Sequence, residues 1–171
     1  KIRQGPEGSL TEKGRTQALA IAKRFPKYKG QPQALIASPY ERTKETAEII
    51  GKELGMSIEY SDLLKERKNP SEVLGHSYNE KEVKKITDMI DGSFHSDDFR
   101  YSDEENFIDL KARTKKLLEY IANRNEERMI MVTHSVFLRM IMSYVFYGEN
   151  LTASKYNSIS YSLSINNASL N

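Results

Sequence analysis

Short apolar runs alternate along the chain with segments whose apolar residues recur at helical spacing. Ala34–Ala37 is an apolar run that predicts a buried strand, and a helix is expected from about Glu41 to Gly55. Thr11 is suited to cap an earlier helix, which Pro26 would end. The apolar faces of these two helices are Ala18, Ile21, Ala22 and Phe25 in the first, and Thr43, Ala47, Ile50 and Leu54 in the second.

The order of strand and helix recurs nearer the C-terminus. Met129–Val132 is a fully apolar run that we expect to be a buried strand. Val136–Phe146 is apolar on nearly all sides, which predicts a buried helix. A helix over 107–121 leads to this strand, and Ile58–Tyr60 is predicted to be a further short strand.

The end of the chain shows the alternation of a strand at Ile159, Tyr161, Leu163 and Ile165, and Ala168–Asn171 resembles the start of another. Strands alternating with helices favour an α/β fold of three layers, α/β/α, around a mostly parallel sheet. The polar, acidic segment 91–105 indicates a cap. We therefore predict one domain over 1–171 with a small cap or lid insertion around 61–106.

Composition narrows the class of protein. The 171 residues carry 26 Lys and Arg against 24 Asp and Glu, so a net charge of +2 gives no reason to expect nucleic acid or a membrane as a partner. No apolar run approaches the roughly 20 residues that span a bilayer. Cysteine is absent, which excludes disulfides and thiolate ligands and fits a cytoplasmic protein.

Polar residues at the two strand-to-helix junctions are candidates for chemistry. His134 lies between Thr133 and Ser135 at the end of one predicted strand, where free N–H groups of the following helix attract anions. Arg42 follows the other strand, and its guanidinium can clamp phosphate oxygens with two parallel hydrogen bonds. The alternatives are a helix-capping hydroxyl beside a satisfied histidine, and a solvated arginine.

Glu66 is a candidate general acid. It follows two apolar residues and precedes a loop, where partial burial favours the protonated carboxyl group. Taken alone, the residue fits ordinary surface charge equally well.

Three motifs together carry a resemblance to a known family. Leu10–Ala18 (LTEKGRTQA) is similar to the helix-opening LTxxGxxQA segment of the histidine phosphatase superfamily, also called phosphoglycerate mutase-like. Ser38–Ala47 (SPYERTKETA) resembles its SPxxRxxxTA motif, and Val132–Ser135 (VTHS) resembles its VxH strand end. The motifs occur in the family order.

The resemblance implies phosphate-ester hydrolysis through a phosphohistidine, without metal or organic cofactor. Arg42, His134 and Ser135 would bind phosphate, with His134 also taking part in catalysis, and Glu66 would be the acid and then the base. Three further carboxylates compete with Glu66: Glu72, Glu104 and Glu105. A small phosphomonoester or a phosphoprotein is the expected substrate; a phosphoglycerate mutase-type phosphotransferase is an alternative.

The N-terminus departs from the family pattern. The family nucleophile is the histidine of an Arg-His-Gly or Arg-His-Ala motif, whereas Arg3-Gln4-Gly5 has glutamine there, which does not carry a phosphoryl group. We expect instead that the true motif lies just upstream of Lys1 and that the chain is truncated at both ends. An inactive phosphate-binding or interaction module is the alternative. His76 and His95 match no motif.

Substrate specificity and oligomeric state have only weak signals. Arg67, Lys68 and Arg100 are candidates for a second anion site, and Phe94, Phe99 and Tyr101 for stacking on a ring, although solvated loop residues are the alternative. The bulky end of the helix at Tyr144–Tyr147 suggests a possible homodimer contact.

Overall fold

The computed structural model describes residues 5–25, 30–77, 79–93 and 96–162. Short 3-10 turns occur at Asp62–Leu64, Ser71–Val73 and Gly148–Asn150. The helices and strands of these described ranges are, in order, α1 (Glu12–Ala22), β1 (Ala34–Ala37), α2 (Glu41–Leu54), β2 (Glu59–Tyr60), α3 (Lys81–Ser93), α4 (Phe107–Ala122), β3 (Met129–Val132), α5 (Ser135–Tyr147) and α6 (Ala153–Ser162).

The strands form one parallel sheet in the order β2-β1-β3. At the carboxyl end of β1, Ala37 pairs with Val132 of β3 on one side and with Tyr60 of β2 on the other. The three strands therefore end at the same edge, which is where α/β proteins place their ligands. The predicted α/β class with a parallel sheet is confirmed.

Apolar side chains from the sheet and its neighbouring helices form a core. Its buried members are Ala22 of α1, Leu35 of β1, Ile50 of α2 and Ile130 of β3. Burial of a large aliphatic side chain contributes about 1.5–3 kcal/mol. Partly buried side chains complete this core: Phe25, Leu54, Met56, Ile58 and Val132.

Local hydrogen bonds define the ends of helices α1 and α2. The Thr11 side chain accepts from Gly14 N at 3.1 Å, so the predicted cap of α1 is confirmed. At the start of α2, the Thr43 hydroxyl donates to the Ser38 and Tyr40 carbonyls at 3.0 and 2.7 Å. Gly55 ends α2 in the left-handed conformation, with φ of 67°.

The chain divides into two compact units. We call Pro6–Glu66 with Glu119–Ser135 the sheet unit, and Arg67–Leu118 with Val136–Ser164 the helical unit. Within the helical unit, the Phe107 and Tyr156 rings lie 6.5 Å apart. The single domain with a lid insertion around 61–106 stays a prediction.

Several details differ from the sequence expectation. Ile159 and Tyr161 belong to helix α6 and not to a strand. The reason is that Thr152 caps this helix by accepting from Lys155 N at 3.3 Å, and Ala153 and Tyr156 are buried at a spacing of three residues. The remaining positions of the predicted C-terminal strands, Leu163, Ile165 and Ala168–Asn171, lie outside the described residues, as do Pro26 and Arg3-Gln4.

Two elements are more exposed than predicted. The end of α5 presents Val145 and Phe146 with 66% and 72% of their surface exposed, because the buried stripe of this helix follows Phe137, Met140 and Tyr144. On β3, Met131 is 37% exposed although Ile130 is buried. Across the described ranges, none of the helices is both long and apolar enough to traverse a lipid bilayer.

Candidate active site

Arg42 and His134, predicted from separate motifs, meet at the carboxyl edge of the sheet. The Arg42 guanidinium is 3.1 Å from Nδ1 of His134, although the residues are 92 positions apart. Arg42 is in the first turn of α2, and His134 lies between β3 and α5. Because β1 and β3 are parallel neighbours, the segments that follow them are brought together.

Ser38 and Tyr40 hold the His134 ring from two further directions, and sequence reasoning did not assign either a role in the site. Ser38 Oγ is 2.8 Å from Nε2 of His134. The Tyr40 ring meets the imidazole edge to face, with centroids 5.1 Å apart and an interplanar angle of 60°. The Arg42 guanidinium also lies over the Tyr40 ring, 5.2 Å from its centroid.

A sequence signal for Ser38 existed. Ser38 is the residue after Ala37, and Ala37 pairs with Val132 two residues ahead of His134. Parallel register alone therefore places a Ser38 hydroxyl beside the strand end that carries His134. His134 is 7% exposed and Ser38 is fully buried, so their hydrogen bond is shielded from water.

The predicted acid, Glu66, belongs to the sheet unit together with Arg42 and His134. It is half-buried and follows the 3-10 turn Asp62–Leu64. The Thr133 hydroxyl donates to the Leu64 carbonyl at 2.8 Å and ties this turn to the end of β3. Glu66 therefore lies two residues after Leu64, which contacts Thr133, the neighbour of His134.

The three competing carboxylates belong to the helical unit and make structural contacts there. Glu104 is buried and accepts from the backbone N–H groups of Tyr101 and Ser102. Glu105 forms a two-bond ion pair with Arg113. Glu72 accepts from the Ser102 hydroxyl at 3.0 Å.

The remaining predicted residues belong to both units. Ser135 is exposed and is the first residue of α5. His76 is exposed and contacts Glu80 at 3.0 Å, and His95 lies outside the described residues. The basic residues suggested for a second anion each contact a carboxylate in the helical unit: Arg67 with Asp91, Lys68 with Asp103, and Arg100 with Asp109.

The side chains of this cluster are of the types that bind an oxyanion. A guanidinium supplies a delocalised positive charge and paired N–H donors, and a buried imidazole offers a ring nitrogen beside it. In the part of the chain that the structure describes, no group of three or more histidine, aspartate or glutamate residues is suited to hold a metal ion.

Comparisons with known proteins bear on the fold and the family of the chain. No curated protein matches the chain. Among solved structures, a mycobacterial glucosyl-3-phosphoglycerate phosphatase in complex with inorganic phosphate has a TM-score of 0.72 at 20% identity, over 92% of this chain and 78% of its own. The α-ribazole phosphatase from Shigella flexneri has a TM-score of 0.73 at 13% identity, over 92% and 76%.

These structural likenesses confirm the predicted phosphoglycerate mutase-like α/β fold. The sequence itself matches the model of the histidine phosphatase superfamily (branch 1) over residues 1–171. The motifs at Leu10–Ala18, Ser38–Ala47 and Val132–Ser135 and the family match are therefore in agreement, and the chain belongs to the histidine phosphatase superfamily, branch 1.

Proposed function

We propose that the protein is a phosphatase that hydrolyses a phosphomonoester through a phosphohistidine intermediate. The observation that carries the proposal is the contact between Arg42 and buried His134 at the carboxyl edge of the sheet, with half-buried Glu66 in the same unit. The two described relatives are named as phosphatases, and this supports the same reaction class here.

In the proposed reaction, Arg42 binds the phosphate oxygens and neutralises the charge that develops on them. His134 and Ser135 add hydrogen bonds to the same oxygens. The nucleophile is proposed to be a histidine upstream of Lys1, whose ring nitrogen forms a bond to phosphorus as the ester P–O bond breaks.

Glu66 is proposed to move the protons. As a carboxylic acid it gives its proton to the leaving oxygen, which departs as an alcohol. As a carboxylate it then takes a proton from water, which attacks phosphorus and breaks the P–N bond. Phosphate is released, the histidine is restored, and Glu66 is protonated again.

The reaction is tested with full-length protein on a broad panel of phosphomonoesters and phosphopeptides at mildly acidic to neutral pH. We expect phosphate release and, after a rapid quench, protein-bound phosphate that is stable to base and labile to acid. A full-length protein that releases no phosphate and binds none covalently would instead be a phosphate-binding module. Transfer of the phosphoryl group to a second alcohol in place of water would identify a mutase.

The role of Glu66 is tested with Glu66→Gln, which keeps the shape of the side chain but does not carry the proton. We expect turnover to fall by about 10²–10⁴-fold, the contribution typical of general acid–base catalysis, while inorganic phosphate still binds. Glu72→Gln is the matched control, because Glu72 is an exposed carboxylate in the helical unit. Full turnover in Glu66→Gln would remove this residue from the mechanism.

A further inference from the structure

The Ser38 backbone is held by hydrogen bonds at both its N–H and its carbonyl group. Its N–H donates to the Val132 carbonyl at 2.9 Å, which continues the ladder between β1 and β3. Its carbonyl accepts from the Thr43 hydroxyl at 3.0 Å in the first turn of α2. The hydroxyl that contacts His134 is therefore held by the sheet on one side and by a helix on the other.

The contacts of the two His134 ring nitrogens with Arg42 and Ser38 indicate which nitrogen carries the proton. A guanidinium only donates hydrogen bonds, so Nδ1 of His134 must be the acceptor in its contact with Arg42. A neutral imidazole then has its hydrogen on Nε2. That N–H points at Ser38 Oγ, 2.8 Å away, so Ser38 is the acceptor in this bond.

We propose that Ser38 is a positioning residue that holds His134 in the Nε2–H form, with Nδ1 directed at Arg42 and the phosphate site. This inference rests on the proposed function. When phosphate enters as its dihydrogen monoanion, an Arg42 donor turns to a phosphate oxygen and Nδ1 takes one proton from the phosphate. Nδ1–H then donates to the phosphate dianion that remains. The Nε2–H bond to Ser38 persists, so the imidazolium ring is held from both ends.

If Ser38 only filled space, removal of its hydroxyl would have a different effect on His134. Removal of its hydroxyl would then cost stability but would leave the ring tautomer of His134 unchanged. If Ser38 is the acceptor for Nε2–H, its removal leaves that N–H buried and without this partner, and the preference between the two ring nitrogens weakens.

The experiment uses the full-length protein and its Ser38→Ala and Ser38→Thr variants. Ser143→Ala is the matched control, because Ser143 is also fully buried and its hydroxyl donates to the Arg139 carbonyl at 2.8 Å in α5. Ring tautomers are assigned by long-range proton–nitrogen correlation NMR, with the His134 signals identified from a His134→Asn sample. Affinity for inorganic phosphate is measured by titration of the same samples.

We expect the wild-type His134 ring to be in the Nε2–H form without phosphate and to be protonated on both nitrogens with phosphate. Ser38→Ala should give a mixture of tautomers and weaken phosphate binding on the order of 10- to 100-fold, as is typical when the partner that orients a histidine is removed. Ser38→Thr, which keeps the hydroxyl, and Ser143→Ala should both retain the wild-type tautomer.

Two results would overturn the inference. One is the finding of an Nδ1–H ring for His134 in the wild type. This measurement does not depend on the folding of any variant. The other is a Ser38→Ala protein with the wild-type tautomer and phosphate affinity within about twofold. A wild type that binds phosphate as expected but hydrolyses no ester would overturn the proposed function and leave the assignment of Ser38 intact.

Discussion

At the scale of single residues, Arg42 is the side chain on which the proposed phosphate site depends most. Its guanidinium contacts Nδ1 of His134 and lies over the Tyr40 ring, so its plane is set before any phosphate arrives. A donor that is already oriented loses less freedom on binding than a flexible one. In the proposed site, arginine is therefore better suited to this position than lysine.

Replacing Arg42 with alanine should lower kcat/KM by the equivalent of about 3–4 kcal/mol, since a donor to the developing charge is lost. Arg42→Lys should recover only part of this loss, because an ammonium group neither forms two parallel bonds to phosphate nor stacks on Tyr40. Steady-state kinetics on full-length protein measure both effects. Lys44→Ala, at a position on the same helix whose side chain is 40% exposed, is the control. Normal turnover in Arg42→Ala would refute its role.

The carboxylates show what residue-level reasoning from the sequence does not resolve. Arg42 and His134 were predicted because both follow apolar runs within sharp motifs. Glu66, Glu104 and Glu105 all follow or lie in loops, so their local sequences are equivalent in kind. Only tertiary hydrogen bonds distinguish them, such as the pair between Glu105 and Arg113, which lies in the helical unit.

At the scale of elements, the position of α2 against the sheet depends on Gly51. A Cβ atom at this residue would lie 2.8 Å from the Met56 carbonyl oxygen and 3.4 Å from Leu35 of β1. The close approach lets the chain turn back after Gly55 toward β2. The low helix propensity of Gly51 therefore weakens α2, but its lack of a side chain permits the packing that positions Arg42.

Gly51→Ala should destabilise the protein by about 1–3 kcal/mol, the usual cost of an overpacked site, despite the higher helix propensity of alanine. Gly92→Ala in α3 is the matched comparison, because a Cβ there meets nothing within 4 Å. It should be neutral or stabilising by up to about 1 kcal/mol. Chemical unfolding of the two variants measures the difference, and a stabilised Gly51→Ala protein would contradict the packing argument.

A second element-level contact joins β2 to the end of α4. Glu59 accepts from the Tyr120 hydroxyl and pairs with Arg124 at 2.8 Å. The pKa of Glu59 lies below its usual value of about 4.5. The largest cause is the hydrogen bond from Tyr120, and the second largest is the hydrogen bond from Arg124. A carboxyl group with a lowered pKa contributes stability above its unfolded-state pKa and loses it as the pH falls through the folded-state pKa.

Tyr120→Phe should therefore lower the melting temperature slightly at pH 7, where Glu59 is ionised. The difference from wild type should shrink as the pH falls below about 4.5, because the protonated carboxyl no longer benefits from the Tyr120 donor. Thermal unfolding across this pH range gives the comparison. A difference that is constant down to pH 3 would show that Tyr120 stabilises by packing alone.

The elements also show where periodicity predicts well. Helix α2 combines a regular apolar face with a glycine stop, and its bounds agree with the prediction. Helix α6 was misassigned because Ile159 and Tyr161 alternate like strand residues, whereas the cap at Thr152 and the buried Tyr156 favour a helix. Periodicity did not predict the exposed end of α5, since Val145 and Phe146 continue an apolar run, and only the suggested homodimer contact at Tyr144–Tyr147 implied a surface position there.

At the scale of the whole molecule, phosphate binding and stability should be linked. A ligand that binds only the folded protein stabilises it by mass action, by roughly 2.7 kcal/mol when its concentration is 100 times Kd. For a chain of this size, that corresponds to about 5–10 °C in the melting temperature. Thermal unfolding of wild type with increasing inorganic phosphate should show this rise.

The same titration on Arg42→Ala should show little rise, whereas Lys44→Ala should follow wild type. Sodium chloride at matched ionic strength separates specific binding from general salt effects. An equal rise in wild type and Arg42→Ala would place phosphate binding elsewhere on the protein.

The parallel pairing of β1 with β3 also determines at which stage of folding Arg42 and His134 come together. Arg42 and His134 are separated by 92 positions, and contacts between such distant segments form late because closing a long loop costs entropy. If phosphate binds where we propose, its binding requires that both strand ends be in place. The appearance of phosphate affinity after dilution from denaturant would then time the pairing of these two strands.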